Sequence, residues 1–84
     1  MIAHTNIAFT LLIKVNGRLR EFNFRKRLDN NYDTNTNDEY SNRYFLRMEK
    51  TGGEWRAIGK DLPDWILQNE AAIHDALEKQ EKES

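Results

Sequence analysis

The chain is expected to form an α+β fold, two β-hairpins making a four-stranded antiparallel sheet packed on one C-terminal helix (ββββα). Three observations lead there. Residues 7–15 alternate strictly between two faces and end at Asn16-Gly17, the dipeptide that best tolerates the two positive φ angles of a tight hairpin turn. Two further strand-like runs, 43–49 and 54–60, flank a glycine-containing turn at Lys50-Thr51-Gly52-Gly53. After Pro63, apolar residues recur at helical spacing to the end of the chain.

Each element follows from its own residues. In the first strand Ile7, Phe9, Leu11, Ile13 and Val15 share one side, with Ala8, Thr10, Leu12 and Lys14 on the other. A two-residue turn fixes the register of the return strand, residues 18–28. Val15 then faces Arg18, Leu11 faces Phe22 and Phe9 faces Phe24, so both phenylalanines land on the apolar side of the first strand. Residues 29–42 (DNNYDTNTNDEYSN) hold almost nothing to bury, and their Asn, Asp, Thr and Ser side chains compete for backbone hydrogen bonds. They are expected to form a long mobile loop. In the second hairpin a four-residue loop would set Met48 opposite Trp55 and Leu46 opposite Ala57. Asp61-Leu62-Pro63-Asp64 has the proline and carboxylates of a helix start. The stripe Leu62, Trp65, Ile66, Ala72, Ile73, Ala76 and Leu77 then makes one helix, interrupted at Asn69. Residues 80–84 lack an apolar anchor and are expected to fray.

Length and composition bound the function. Eighty-four residues support one core, hence a single domain over 1–84, and so small a core gains from self-association. The absence of cysteine excludes disulfides, thiol nucleophiles and Cys-based metal sites. The apolar run 7–13 is too short to cross a bilayer. No membrane partner is expected, and a soluble cytoplasmic protein is the default. Catalysis has little to stand on. His4 lies near a terminus, His74 is expected on the polar side of the helix beside Glu70 or Glu78, and Ser41 and Ser84 have no base at a recognisable spacing. Trp55 and Trp65 are expected to pack between sheet and helix. The protein is read as a non-enzyme without cofactor. Asp29, Asn31, Asp33, Asn35 and Asn37 echo the ligand spacing of an EF-hand calcium loop, but Thr34 stands where that loop needs glycine and Tyr40 where it needs glutamate. No metal site is expected.

Charge is where the sequence points to a partner. The net charge is −1, yet residues 14–27 carry +5 and 43–60 carry +3, against −4 in 28–42 and −5 in 61–84. With the helix covering the apolar side, the opposite sheet face presents Lys14, Arg25, Arg27, Arg43, Arg47, Arg56 and Lys60. Leu12, Leu19, Phe45 and Ile58 lie among them. Two partners fit such a face. The first is another protein, foremost a second copy of this chain, meeting the apolar residues with arginines as rim. The second is single-stranded DNA or RNA, for which cations track phosphates and Phe45, with Tyr32, Tyr40 and Tyr44 near the loop edge, offers rings. In element order alone, four strands followed by a helix resembles the PUR-repeat nucleic-acid binders, whose sheets work as dimers. The contact surface expected on either reading comprises Lys14, Arg25, Arg27, Arg43, Phe45, Arg47, Arg56, Ile58 and Lys60.

Overall fold

The computed structural model describes residues 7–83; His4 and Ser84 lie outside them. Five strands are followed by two helical segments: β1 (Ala8–Val15), β2 (Arg18–Lys26), β3 (Tyr32–Asn37), β4 (Arg43–Thr51), β5 (Glu54–Ile58), α1 (Asp64–Leu67) and α2 (Glu70–Glu83). The strands form one antiparallel meander in the order β1-β2-β3-β4-β5. The α+β class therefore holds, with five strands rather than four.

The first hairpin has the expected register: Val15 pairs with Arg18, Leu11 with Phe22 and Phe9 with Phe24. Asn16 (φ 50°) and Gly17 (φ 81°) supply the two positive φ angles. The extra strand is β3, inside the segment 29–42 expected to be a mobile loop. Tyr32, Thr34 and Thr36 point inward and are buried, while Asp33, Asn35 and Asn37 point outward. The strand is held by its position, with β2 pairing on one side and β4 on the other. A central strand gains both ladders of hydrogen bonds whatever its intrinsic propensity. Tyr32 adds a buried ring against Phe9, Phe24 and Trp55 at centroid distances of 5.6, 5.9 and 5.3 Å. The Asn and Asp residues on either side form two compact turns. Asp29 accepts the Asn31 amide, and Asp38 accepts the amides of Tyr40 and Asn42.

Asp38 also accepts the Asn42 side-chain amide and the Tyr44 hydroxyl. These bonds, the Asn42 side chain foremost, hold its carboxyl below the usual aspartate value of 3.8. Their contribution to stability is present above the unfolded-state pKa and is lost as pH falls through the lower folded one. The Asn42 amide shift is expected to titrate with a midpoint below 3.8; a midpoint at or above it contradicts this arrangement.

Gly52 (φ 60°) and Gly53 (φ 85°) close the second hairpin in a two-residue turn. That shortens the expected four-residue loop and shifts the register: Met48 faces Ala57 and Trp55 faces Lys50. The single expected helix is broken at Asn69, whose side-chain amide donates to the Trp65 carbonyl and to the Asn16 side chain. α2 runs through the segment expected to fray, as far as Glu83. Glu81 there accepts the Tyr32 hydroxyl at 2.9 Å.

The core joins Ile13, Val15, Phe22, Phe24, Tyr32, Leu46, Met48 and Trp55 to Ile66, Ile73 and Leu77 of the helices. Trp55 is buried and Trp65 half-buried, its ring set edge-on to Phe22 and Tyr44. Ile7 lies just before β1 and is exposed rather than covered by the helix. The Thr34 hydroxyl is buried with no hydrogen-bond partner, which costs about 1–3 kcal/mol. Thr34→Val keeps the branched shape and is expected to raise the unfolding free energy by roughly 1 kcal/mol in urea denaturation; a loss of stability would show that the hydroxyl is needed.

Candidate interaction surface on the open sheet face

Pleat alternation separates the two faces of the sheet. α2 packs against the outer strands β5 and β1, and the helix side holds the buried residues. Lys14, Arg25, Arg43, Phe45, Arg47, Arg56 and Ile58 all fall on the opposite, open face. Arg27 directly follows β2, and Lys60 lies two residues beyond the end of β5. The residues singled out in the sequence are thus brought to one side of the molecule.

Their charge is not as free as the sequence implied. Glu21, Asp33, Glu49 and Glu54 share the open face, so seven cations stand against four acids and the face carries a net +3. Arg27 bonds Asp33 at 3.0 Å and Asp29 at 3.3 Å, and its guanidinium pKa is raised chiefly by Asp33. Arg47 pairs with Glu49 and Arg56 with Glu54, each at 3.1 Å. On the helix side, Arg18 pairs with Glu39 at 3.1 Å and Lys50 with Glu78 at 2.9 Å. The acidic segment 28–42 therefore folds back onto the basic strands. Lys14, Arg25, Arg43 and Lys60 have no acidic partner among the described residues.

A ladder of polar side chains crosses the middle of the face, a feature sequence reading missed. Thr10 donates to the Asn23 side chain at 2.6 Å, Asn23 donates to Asn35 at 2.9 Å, and Arg43 donates to Asn35 at 2.7 Å. The signal that could have found it is the Asn and Thr alternation in 33–37, which has strand period. Short side chains along this row leave an open trough of about 650 Å³, bordered by Arg25, Asp33 and Phe45.

The ladder also divides the apolar residues. Leu12 and Leu19 are 62% and 63% exposed and sit diagonally across the β1–β2 pair near its turn. Phe45 and Ile58, 69% and 48% exposed, sit diagonally across β4–β5 toward the other end. The expected contact surface is therefore two apolar pairs at opposite corners, with polar ground between. Of the tyrosines, Tyr32 is buried, Tyr44 points to the helix side with its hydroxyl on Asp38, and Tyr40 is exposed in the β3–β4 turn. Phe45 is the single ring on the open face among the described residues.

The two edges of the sheet differ. The amides of Trp55 and Ala57 point away from β4, and α2 caps both. His74 Nδ1 accepts from Trp55 at 3.1 Å and a Glu70 carboxylate oxygen accepts from Ala57 at 2.8 Å. His74 is therefore a half-buried acceptor, not the surface residue expected from sequence, and its ring proton lies on Nε2. One turn further on, Glu78 accepts from Trp55 Nε1 and from Lys50. Its carboxyl is held below the usual range chiefly by the Lys50 ammonium.

Among the described residues no cluster of His, Asp or Glu could hold a metal ion. Asp33, Asn35 and Asn37 lie in line along β3 instead of wrapping around a centre. No described helix is long and apolar enough to cross a membrane. No protein-family model, curated protein or solved structure matches this chain, so its site geometry is what bears on function.

Proposed function

We propose that the chain is a small non-enzymatic protein-interaction module that self-associates, with the open sheet face as its contact surface. One observation supports this above others: four large apolar side chains, Leu12, Leu19, Phe45 and Ile58, stand exposed on a face with no helix over it, and most neighbouring arginines are already engaged. Fully burying such a side chain is worth about 1.5–3 kcal/mol, and pre-paired arginines lose little on becoming a rim. Light scattering behind a sizing column, over a dilution series, tests the proposal. A dimer that dissociates on dilution is expected, whereas a monomer at every concentration overturns it. Salt adds a second reading of the same experiment. Stacking two faces of net +3 would strengthen as salt screens their repulsion, while contact at the Leu12–Leu19 corner alone would change little.

A second function is favoured by a specific feature: Lys14, Arg25 and Arg43 lack acidic partners, and Phe45 stands exposed on the same face. That combination suits single-stranded nucleic acid, with phosphates on the cations and one base on the ring. Titration with a short single-stranded oligonucleotide at two salt concentrations separates the two. Binding through this face weakens by about 0.7 log units per phosphate neutralised for each log unit of salt; absence of amide shifts around Arg25 and Phe45 removes this function.

A further inference from the structure

We infer that the exposed edge of β1 pairs antiparallel with the β1 edge of a second copy, joining two five-stranded sheets into one. The inference rests on the proposed self-association and narrows its contact surface to the β1 edge with the Leu12–Leu19 corner of the open face, leaving Phe45 and Ile58 outside the seam. It starts from the contrast between the two edges. β5 is five residues long, carries Glu54 and Arg56, and has its outward amides capped by Glu70 and His74. β1 is eight residues long, AFTLLIKV, with no proline, no acid and one lysine near its end. Its odd-numbered residues bond to β2, a pattern continued by the Lys26 amide donating to the Ile7 carbonyl. The backbone groups of Ala8, Thr10, Leu12 and Lys14 therefore point outward. α2 packs near β1, but among the described residues neither it nor any other element gives those groups a hydrogen bond. A long apolar edge without a cap, a bulge or an inward charge is a template for another strand.

The residues of β1 also specify the occupant. Placing Leu11 opposite its own copy on a two-fold axis sets Thr10 against the second copy's Leu12 and Ala8 against its Lys14. All four outward residues of each strand are then used, in hydrogen-bonded pairs that exchange two bonds each. Shifting the register by two residues in either direction leaves one outward residue of each strand unpaired, and only registers far from this one bring the two lysines face to face. On the helix side this register sets Phe9 against the second copy's Ile13 and Leu11 against Leu11. Phe9 and Leu11 are only half-buried in the single chain, so a neighbouring strand covers apolar surface that the chain leaves open. On the open side the two Leu12 side chains become diagonal neighbours, merging the Leu12–Leu19 corners at the seam. The pairing is isologous and closes at two copies, because the far edges are the capped β5 strands.

Light scattering on three proteins tests the inference. In Thr10→Pro the lost amide points outward, so the backbone ladder with β2 keeps its bonds and only the Thr10–Asn23 side-chain bond goes, while the new ring blocks the seam. Wild type is expected as a dimer, Thr10→Pro as a folded monomer, and the open-face variant F45E/I58E as a dimer. A dimeric Thr10→Pro with a monomeric F45E/I58E overturns the edge and leaves self-association through the open face standing. A monomeric wild type overturns both. Should Thr10→Pro fail to fold, charge at the axis replaces it. Leu11→Lys and Leu11→Glu are each expected to be monomeric alone and to form a heterodimer when mixed, at least tenfold tighter than either homodimer. No heterodimer on mixing overturns the pairing of Leu11 with Leu11.

Discussion

Phe22→Ala is expected to lower the stability of the fold by about 3–5 kcal/mol. Phe22 is fully buried in the first hairpin, with its ring 6.4 Å from Phe24 and 6.2 Å from Trp65. Its ring ties β2 to α1, and across the hairpin it stands opposite Leu11 of β1. Removing a buried phenylalanine costs about 3–5 kcal/mol, since the cavity adds to the lost transfer energy. At roughly 0.05–0.15 kcal/mol per residue, a chain of 84 residues has about 4–13 kcal/mol to lose. The loss is read as a drop in the urea midpoint at unchanged slope. A decrease under 1 kcal/mol would mean that the core is centred elsewhere.

The second large effect concerns the capped edge. The double variant Glu70→Ala/His74→Ala removes the acceptors for the Ala57 and Trp55 amides. The charged acceptor accounts for most of an expected loss of about 2–4 kcal/mol. A change in assembly is expected as well. With β1 edges joined in pairs, uncapping β5 gives each dimer an adhesive edge at both ends, so closed dimers become open-ended chains. Sedimentation velocity should show material larger than dimers, growing with concentration. Glu70→Gln keeps an acceptor and should remain dimeric. If the double variant were as stable as wild type and of the same size, the caps would have no role at that edge.

Much of this was legible in the residues, and the rest was hidden for physical reasons. The first hairpin was readable because a two-residue Asn16-Gly17 turn leaves one register, and that register puts Phe22 and Phe24 on the apolar side. β3 was not, because Tyr32–Asn37 has the period of a strand and the composition of a loop. Its stability comes from two neighbours far away in sequence, which no local propensity reports. The second register slipped for a smaller reason: both Gly52 and Gly53 take positive φ, so Lys50 and Thr51 belong to the strand. For the candidate surface, strand parity gathered the basic and apolar residues onto one face correctly. Parity could not supply the acids that β3 and the turns bring to them, such as Asp33 beside Arg27. Nor could it place His74, whose role depends on an edge strand nineteen residues earlier in the chain.

The most direct test of self-association through the β1 seam is an isotope-filtered NOE experiment on a mixture of labelled and unlabelled protein. Within one strand Phe9 and Ile13 lie about 13 Å apart, four residues at roughly 3.3 Å each, too far for an intrachain signal. Paired β1 edges predict contacts between the Phe9 ring of one copy and the Ile13 methyls of the other, and between the two Leu11 side chains. Intermolecular contacts confined to Phe45 and Ile58, or none at all, would contradict the account.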